Sequence, residues 1–168
     1  AQSLICTLTN TALPSVIIAK RSVGKAGTFN FTLSALNNFT DILTTTSGAT
    51  VTSAAVNVGT VGVAATVVET PASAAGYAVS TSCVDANSGI TGNLGSITSN
   101  TNTATIPAAN MKTRAAYTCT FVNTKLTSIT TTKTASASPL LTGVAGQFYT
   151  VNVSVAYATT TAALSLSD

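Results

Sequence analysis

The sequence predicts an all-β chain: one complete β-sandwich with a partial β-module behind it. Three observations carry that expectation. Short runs of alternating apolar and polar residues, separated by Gly, Asn, Ser and Pro, recur along the chain, which is the spacing of sandwich strands. The chain is 45% apolar and rich in β-branched residues, with no helical periodicity. A segment also recurs at an offset of about 113 residues. Cys6-Thr7-Leu8-Thr9-Asn10-Thr11 matches Cys119-Thr120-Phe121-Val122-Asn123-Thr124, and Leu13, Ser15 and Lys20 match Leu126, Ser128 and Lys133. After an insertion, Ala26-Gly27-Thr28-Phe29 is echoed by Ala145-Gly146-Gln147-Phe148. A repeat of this kind identifies the structural unit.

The elements follow in chain order. Residues 3–10 read as a strand because they repeat the last strand of the complete module. Residues 15–21 carry the β-branched run Val16-Ile17-Ile18, and 28–35 alternate Phe29, Phe31 and Leu33. Further strands are expected at 41–45, 51–57, 62–69, 77–83 and 103–106. Residues 115–123 alternate Tyr117, Cys119 and Phe121. Residues 127–134, 147–156 and 162–167 belong to the partial module. Asp85–Asn102, rich in Asn, Gly and Ser, reads as hairpins or an irregular loop, and Ser136–Pro139 as a turn. This divides the chain into a donor-like strand (1–11), a complete sandwich (12–125) and an incomplete module (126–168). Such an order suits either a piece of a modular array or a subunit that completes its neighbour.

Composition excludes several function classes. Charged residues make up 7% of the 168, and the net charge is +3 with no basic patch, so nucleic acid is not an expected partner. No apolar run reaches the length of a membrane helix, so membrane insertion is not expected. Without His, neither a Ser/His/Asp triad nor a Cys/His zinc site can form. Four acidic residues are too few for a dedicated calcium cage. No metal and no cofactor is expected. Cys83 and Cys119 both fall on predicted strands of the complete module, and a disulfide between them is the preferred reading. Two buried free thiols are the alternative. Cys6 then pairs outside the chain or serves as a small core residue.

Alternation also says which side chains face inward. The inward row of 117–123 ends in Asn123. That of 63–69 (Val63, Ala65, Val67) ends in Glu69, the sole glutamate. That of 16–20 ends in Lys20. A buried amine, carboxylate and carboxamide are costly unless they satisfy one another. The bland alternative has Lys20 reaching solvent, Glu69 on a strand edge and Asn123 capping a turn.

Lys20 in a first strand, then Phe29-Asn30-Phe31-Thr32-Leu33, then Glu69-Thr70-Pro71 leading to Gly76-Tyr77, then a last strand ending Asn123-Thr124, together resemble the collagen-adhesin B-type domain. This is the SpaA-like or prealbumin-like domain of bacterial surface proteins and pilins. The resemblance covers about residues 12–125 and implies an immunoglobulin-like or prealbumin-like sandwich; the Cys83/Cys119 pair resembles a variant of such modules in secreted proteins, and the Asp85–Asn102 insertion departs from the pattern. Residues 127–168, with Lys133–Pro139, Gly146–Val153 and Asp168, resemble the start of a different repeated extracellular β-module.

The resemblance implies an isopeptide bond, with Lys20 as nucleophile, Glu69 as acid/base and Asn123 as electrophile. Burial is what this chemistry needs: it neutralises the amine, keeps the carboxyl protonated and holds the reactants together. Any such reaction acts on the protein itself, so no enzyme is expected. By the repeat's register, Lys133 of one subunit is placed to bond Asn10 of the next with Asp168 assisting. The expected function is a structural subunit of an extracellular bacterial filament on the cell surface, assembled head-to-tail by strand complementation. Its partners are copies of itself or flanking modules. The alternative is an adhesin or stalk module of a longer surface protein. The sequons at Asn30, Asn38 and Asn152 are ones that an Asn- and Thr-rich chain produces by chance.

Overall fold

The computed structural model describes residues 3, 5–8, 10–35, 39–126, 128–135 and 149–156, the last two segments as backbone. The chain divides into two units, Ala1–Thr124 and Lys125–Asp168. In the first, the strands are β1 (Ser15–Val23), β2 (Gly27–Leu33), β3 (Phe39–Thr45), β4 (Thr50–Thr52), β5 (Val56–Asn57), β6 (Ala65–Glu69), β7 (Tyr77–Asp85), β8 (Ser96–Ser99), β9 (Thr103–Ile106) and β10 (Ala116–Lys125). Single helical turns, α1 (Pro71–Ala74) and α2 (Ser88–Thr91), flank β7, and a 3₁₀ turn spans Ala108–Asn110. The second unit contributes β11 (Ser128–Ala135) and β12 (Tyr149–Ala156).

One sheet of the first unit has the order β4-β1-β10-β7-β8, with β5 also beside β1. The other has the order β3-β2-β6-β9. The protein is thus an all-β sandwich, and its core is the inward row of each strand. On β2 the pattern is strict: Phe29, Phe31 and Leu33 are buried while Thr28, Asn30 and Thr32 face out. On β1, Val16, Ile18 and Lys20 point inward but Ala19 is buried too. β1 and β10 run parallel from Ser15↔Ala116 to Val23↔Thr124. Parallel strands need a crossover connection, and here nearly the whole module is that connection. The first and last strands therefore lie side by side.

Several expectations change. The described residues among 3–10 form no strand in the single chain, and Ile5 and Leu8 are exposed. The run 62–69 starts only at Ala65, because Gly62 takes a left-handed turn (φ +75°), and Val63 is exposed rather than inward. The run 51–57 splits into β4 and β5. Between them the Ser53 hydroxyl accepts the Ile18 N–H, and the Ser53 N–H donates to the Ile18 carbonyl, so the edge keeps its bonds through the break.

The loop Asp85–Asn102 holds a strand, β8, paired antiparallel to β7. In the second unit β11 pairs directly with β12, antiparallel, with Lys133 opposite Val151. β1 and β2 instead lie in different sheets, so the second unit does not repeat the first unit's arrangement. The expected strand 162–167 lies outside the described residues.

Candidate functional site

Three strands bring Lys20, Glu69 and Asn123 to one place in the core. β1 supplies Lys20, the end of β6 supplies Glu69, and β10 supplies Asn123; each is 0% exposed. The register sets the geometry: Lys20 lies opposite Phe121 and Asn123 opposite Ser22 on the neighbouring parallel strand. Glu69 pairs across the other sheet with Phe31, whose ring meets Phe121 edge-on with centroids 5.1 Å apart. The two phenylalanines pack the floor between the sheets.

The Lys20 Nζ sits 3.3 Å from both carboxylate oxygens of Glu69. The Asn123 Nδ2 donates to Glu69 Oε1 at 2.6 Å, and Asn123 Oδ1 has no hydrogen-bond partner. On its other side the Lys20 Nζ faces the Phe29 ring, 4.1 Å from its centroid. Glu69 is fixed through its main chain: its N–H donates to the Asn102 carbonyl and its carbonyl accepts from Asn102 Nδ2, both at 2.8 Å. Pro71 at the start of α1 ends strand β6 just beyond it.

Burial governs the electrostatics. Desolvation pulls the Lys20 ammonium down from 10.5 to about 8, against the attraction of Glu69. Desolvation likewise pushes the Glu69 carboxyl up, against the opposing pull of Lys20 and Asn123. Both shifts favour moving a proton from the amine to the carboxyl, giving a neutral nucleophile beside a neutral acid.

Cys83 on β7 and Cys119 on β10 are joined in a disulfide between adjacent strands, both fully buried. Cys119, Phe121 and Asn123 share one inward row, so β10 is tied to β7 four residues from the carboxamide. Cys6 is a free thiol, exposed in the single chain. Asn10 is exposed and in no regular element. Lys133 is placed by its backbone on β11 and Asp168 lies outside the described residues; the bond expected between Lys133 and Asn10 joins two subunits, which a single chain does not contain. Of the sequons, Asn30 is exposed on β2 and Asn38 lies outside the described residues. No group of three or more metal-ligating side chains occurs among the described residues. No helix among them is long and apolar enough to cross a membrane.

Sequence reasoning missed Asp85. Its buried carboxylate accepts from the N–H of Asn87 and of Ala116, both 2.9 Å, from Thr91 Oγ1 at 2.6 Å and from Asn93 Nδ2 at 2.9 Å. Burial alone would raise this carboxyl, but the four bonds outweigh it and hold it below its ordinary value. The group pins α2 and the following loop to the start of β10. It also missed Phe29 and Asn102 as neighbours of the triad. Only the fold brings these to Lys20 and Glu69.

The model of the prealbumin-like fold domain matches residues 16–125. The chain belongs to this family. No curated protein matches it. Among solved structures, the major pilin of Streptococcus pyogenes is similar at 14% identity and a TM-score of 0.39, over 68% of this chain and 48% of that one. A bacterial adhesin from Mobiluncus mulieris, containing intramolecular disulfide, isopeptide and ester bond cross-links, is similar at 18% identity and a TM-score of 0.44, over 67% of this chain and 41% of that one. This chain thus spans less than half the length of either. At that level of likeness neither bears on what it does.

Proposed function

We propose that the chain is a structural segment of an extracellular bacterial surface fibre, whose prealbumin-like module locks itself with an isopeptide bond between Lys20 and Asn123. The observation that carries this is the burial of Lys20, Glu69 and Asn123, with the amine and the carboxamide both against the one carboxylate. In this reading the Lys20 ammonium passes a proton to Glu69. The freed lone pair attacks Asn123 Cγ, and the C=O π pair moves onto the oxygen. Half a turn of the carboxamide puts Oδ1 where Nδ2 stands. There 2.6 Å is an ordinary O–H···O distance for a protonated Glu69 donating to it. Glu69 then gives its proton to the departing nitrogen as the C–N bond breaks, and takes up the second hydrogen that the attacking nitrogen sheds on becoming an amide. One amide forms and one ammonia leaves; that ammonia carries the last proton away as ammonium, which returns Glu69 to its carboxylate. The strands hold the reactants together, which gives the high effective molarity of an intramolecular reaction. The reaction occurs once per molecule and alters only the protein itself, so it is a maturation step and not enzymatic turnover.

The disulfide supports an oxidising, extracellular setting. For assembly, residues 3–11 repeat β10 in sequence, and their described members are exposed and unstructured, Ile5 at 86% and Leu8 at 95%. Such a segment fits as a complementing strand for a module on another copy. Head-to-tail addition then propagates as a fibre, and a Lys133–Asn10 bond would make it covalent. Two experiments test the reading. The intact mass of the folded chain falls by one ammonia, and Glu69→Ala restores it; an unshifted wild-type mass contradicts the cross-link. Deleting residues 1–11 abolishes polymerisation; a truncated chain that still polymerises contradicts strand complementation.

A further inference from the structure

On one side of the Lys20 amine is Glu69, and on the other the face of an aromatic ring. Phe29 is 1% exposed, and its ring is held from two directions. The Tyr77 ring meets it edge-on, with centroids 5.6 Å apart and planes at 72°. Gly27, two residues earlier on the same face of β2, lies against its far end. A Cβ at Gly27 would stand 2.7 Å from Phe29 Cζ and 2.9 Å from Cε2, closer than packed atoms tolerate. Gly27 is therefore there for space.

We infer that Phe29 is a seat for the reacting amine, and that Gly27 and Tyr77 are positioning residues acting through it. This rests on the isopeptide reading of the site. While the lysine is charged, the ring face holds Nζ by cation–π attraction. Once Glu69 has taken the proton, an N–H of the neutral amine still prefers the negative face of the ring. With one N–H directed to the ring and another to Glu69, the lone pair is left to point elsewhere. Asn123, bridging to the same carboxyl, supplies the electrophile. The ring thus limits the rotation of a long, flexible side chain whose nucleophile would otherwise sweep the cavity. Among the described residues, the titratable groups beside the amine and its ring are Glu69, in contact with the amine, and Tyr77, edge-on to the ring.

The test follows bond formation in time. Full-length chain is recovered unfolded, and so unlinked, and diluted into oxidising buffer over a series of pH values. Loss of ammonia is read by mass. Phe29→Leu keeps an apolar side chain but removes the face; its maximal rate falls at least tenfold. Its pH midpoint also moves down, because the ammonium has lost a stabilising partner and gives up its proton more easily. A residue that merely packed would lower the rate without moving the midpoint, so a Phe29→Leu chain with an unmoved midpoint, or with a wild-type rate, overturns the inference. Disulfide closure and cooperative unfolding report whether each variant folds. If Phe29→Leu does not fold, Gly27→Ala decides: its displaced ring slows bond formation, and a wild-type rate overturns the inference. Failure of the underlying reading looks different, since wild type would then never lose ammonia.

Discussion

Replacing Asn123 with Ala removes the electrophile but leaves Lys20 and Glu69 buried side by side. The amine then titrates in the folded protein. Its value falls from 10.5 to about 8, desolvation outweighing the attraction of Glu69. At roughly 1.4 kcal/mol per unit, the penalty for burying the charged amine is on the order of 3 kcal/mol. The sign follows from proton counts. Between pH 8 and 10.5 the unfolded chain holds a proton that the folded chain has released, so stability rises with pH across that window. Below pH 8 the penalty is present in full. In a wild type cross-linked as proposed, Lys20 would be an amide that titrates in neither state. The assay is denaturant unfolding, followed by circular dichroism, at intervals from pH 7 to 10.5 with the disulfide intact. The account predicts that Asn123→Ala gains about 3 kcal/mol relative to wild type over the window. A flat difference refutes the reasoning: if neither protein shows the rise, the amine is not desolvated; if both do, the bond is absent.

Three further outcomes are expected. Asp85→Ala leaves the Ala116 N–H without its acceptor and the Asn93 amide with the Asn110 carbonyl alone, and chemical denaturation should show a loss on the order of 3 kcal/mol. Because the Asp85 carboxyl is held below its ordinary 3.8, its contribution persists above that pH and fades as pH falls through the folded value; acid titration of wild type against Asp85→Ala checks this. Thr45→Val removes a buried hydroxyl that has no partner and should be stabilising by about 1 kcal/mol, read as a higher denaturation midpoint. Replacing Cys83 and Cys119 together with Ala reopens a loop of 36 residues and should cost about 3–4 kcal/mol in the same measurement.

Alternation made much of the core legible in the sequence. Phe29, Phe31 and Leu33 on β2, and Tyr117, Cys119 and Phe121 on β10, face inward as a two-residue period demands. The same period carries Glu69 and Asn123 inward at the ends of their rows, and Lys20 inward on β1. It misleads at Val63, because periodicity cannot say that Gly62 turns the chain before β6 begins. Burial of the triad is therefore readable one strand at a time, but its meeting is not. That depends on β1 lying parallel to β10, a pairing across most of the module. Asp85 escapes because its partners, Asn87, Thr91, Asn93 and Ala116, are a loop and a strand end with no periodic pattern. Asn102 escapes for the same reason. In the second unit, the echo of Ala26–Phe29 at Ala145–Phe148 suggests a repeated arrangement. Local sequence similarity does not fix which strands pair, and β11 takes β12 as its neighbour where β1 does not take β2.

The most direct measurement is a peptide map of the folded, unreduced chain by tandem mass spectrometry. The account predicts a branched species in which the peptide containing Lys20 is joined to the peptide containing Asn123, lighter than their sum by one ammonia, and absent from Glu69→Ala. Recovery of both peptides separately and unmodified from folded wild type, with no branched species, would contradict it.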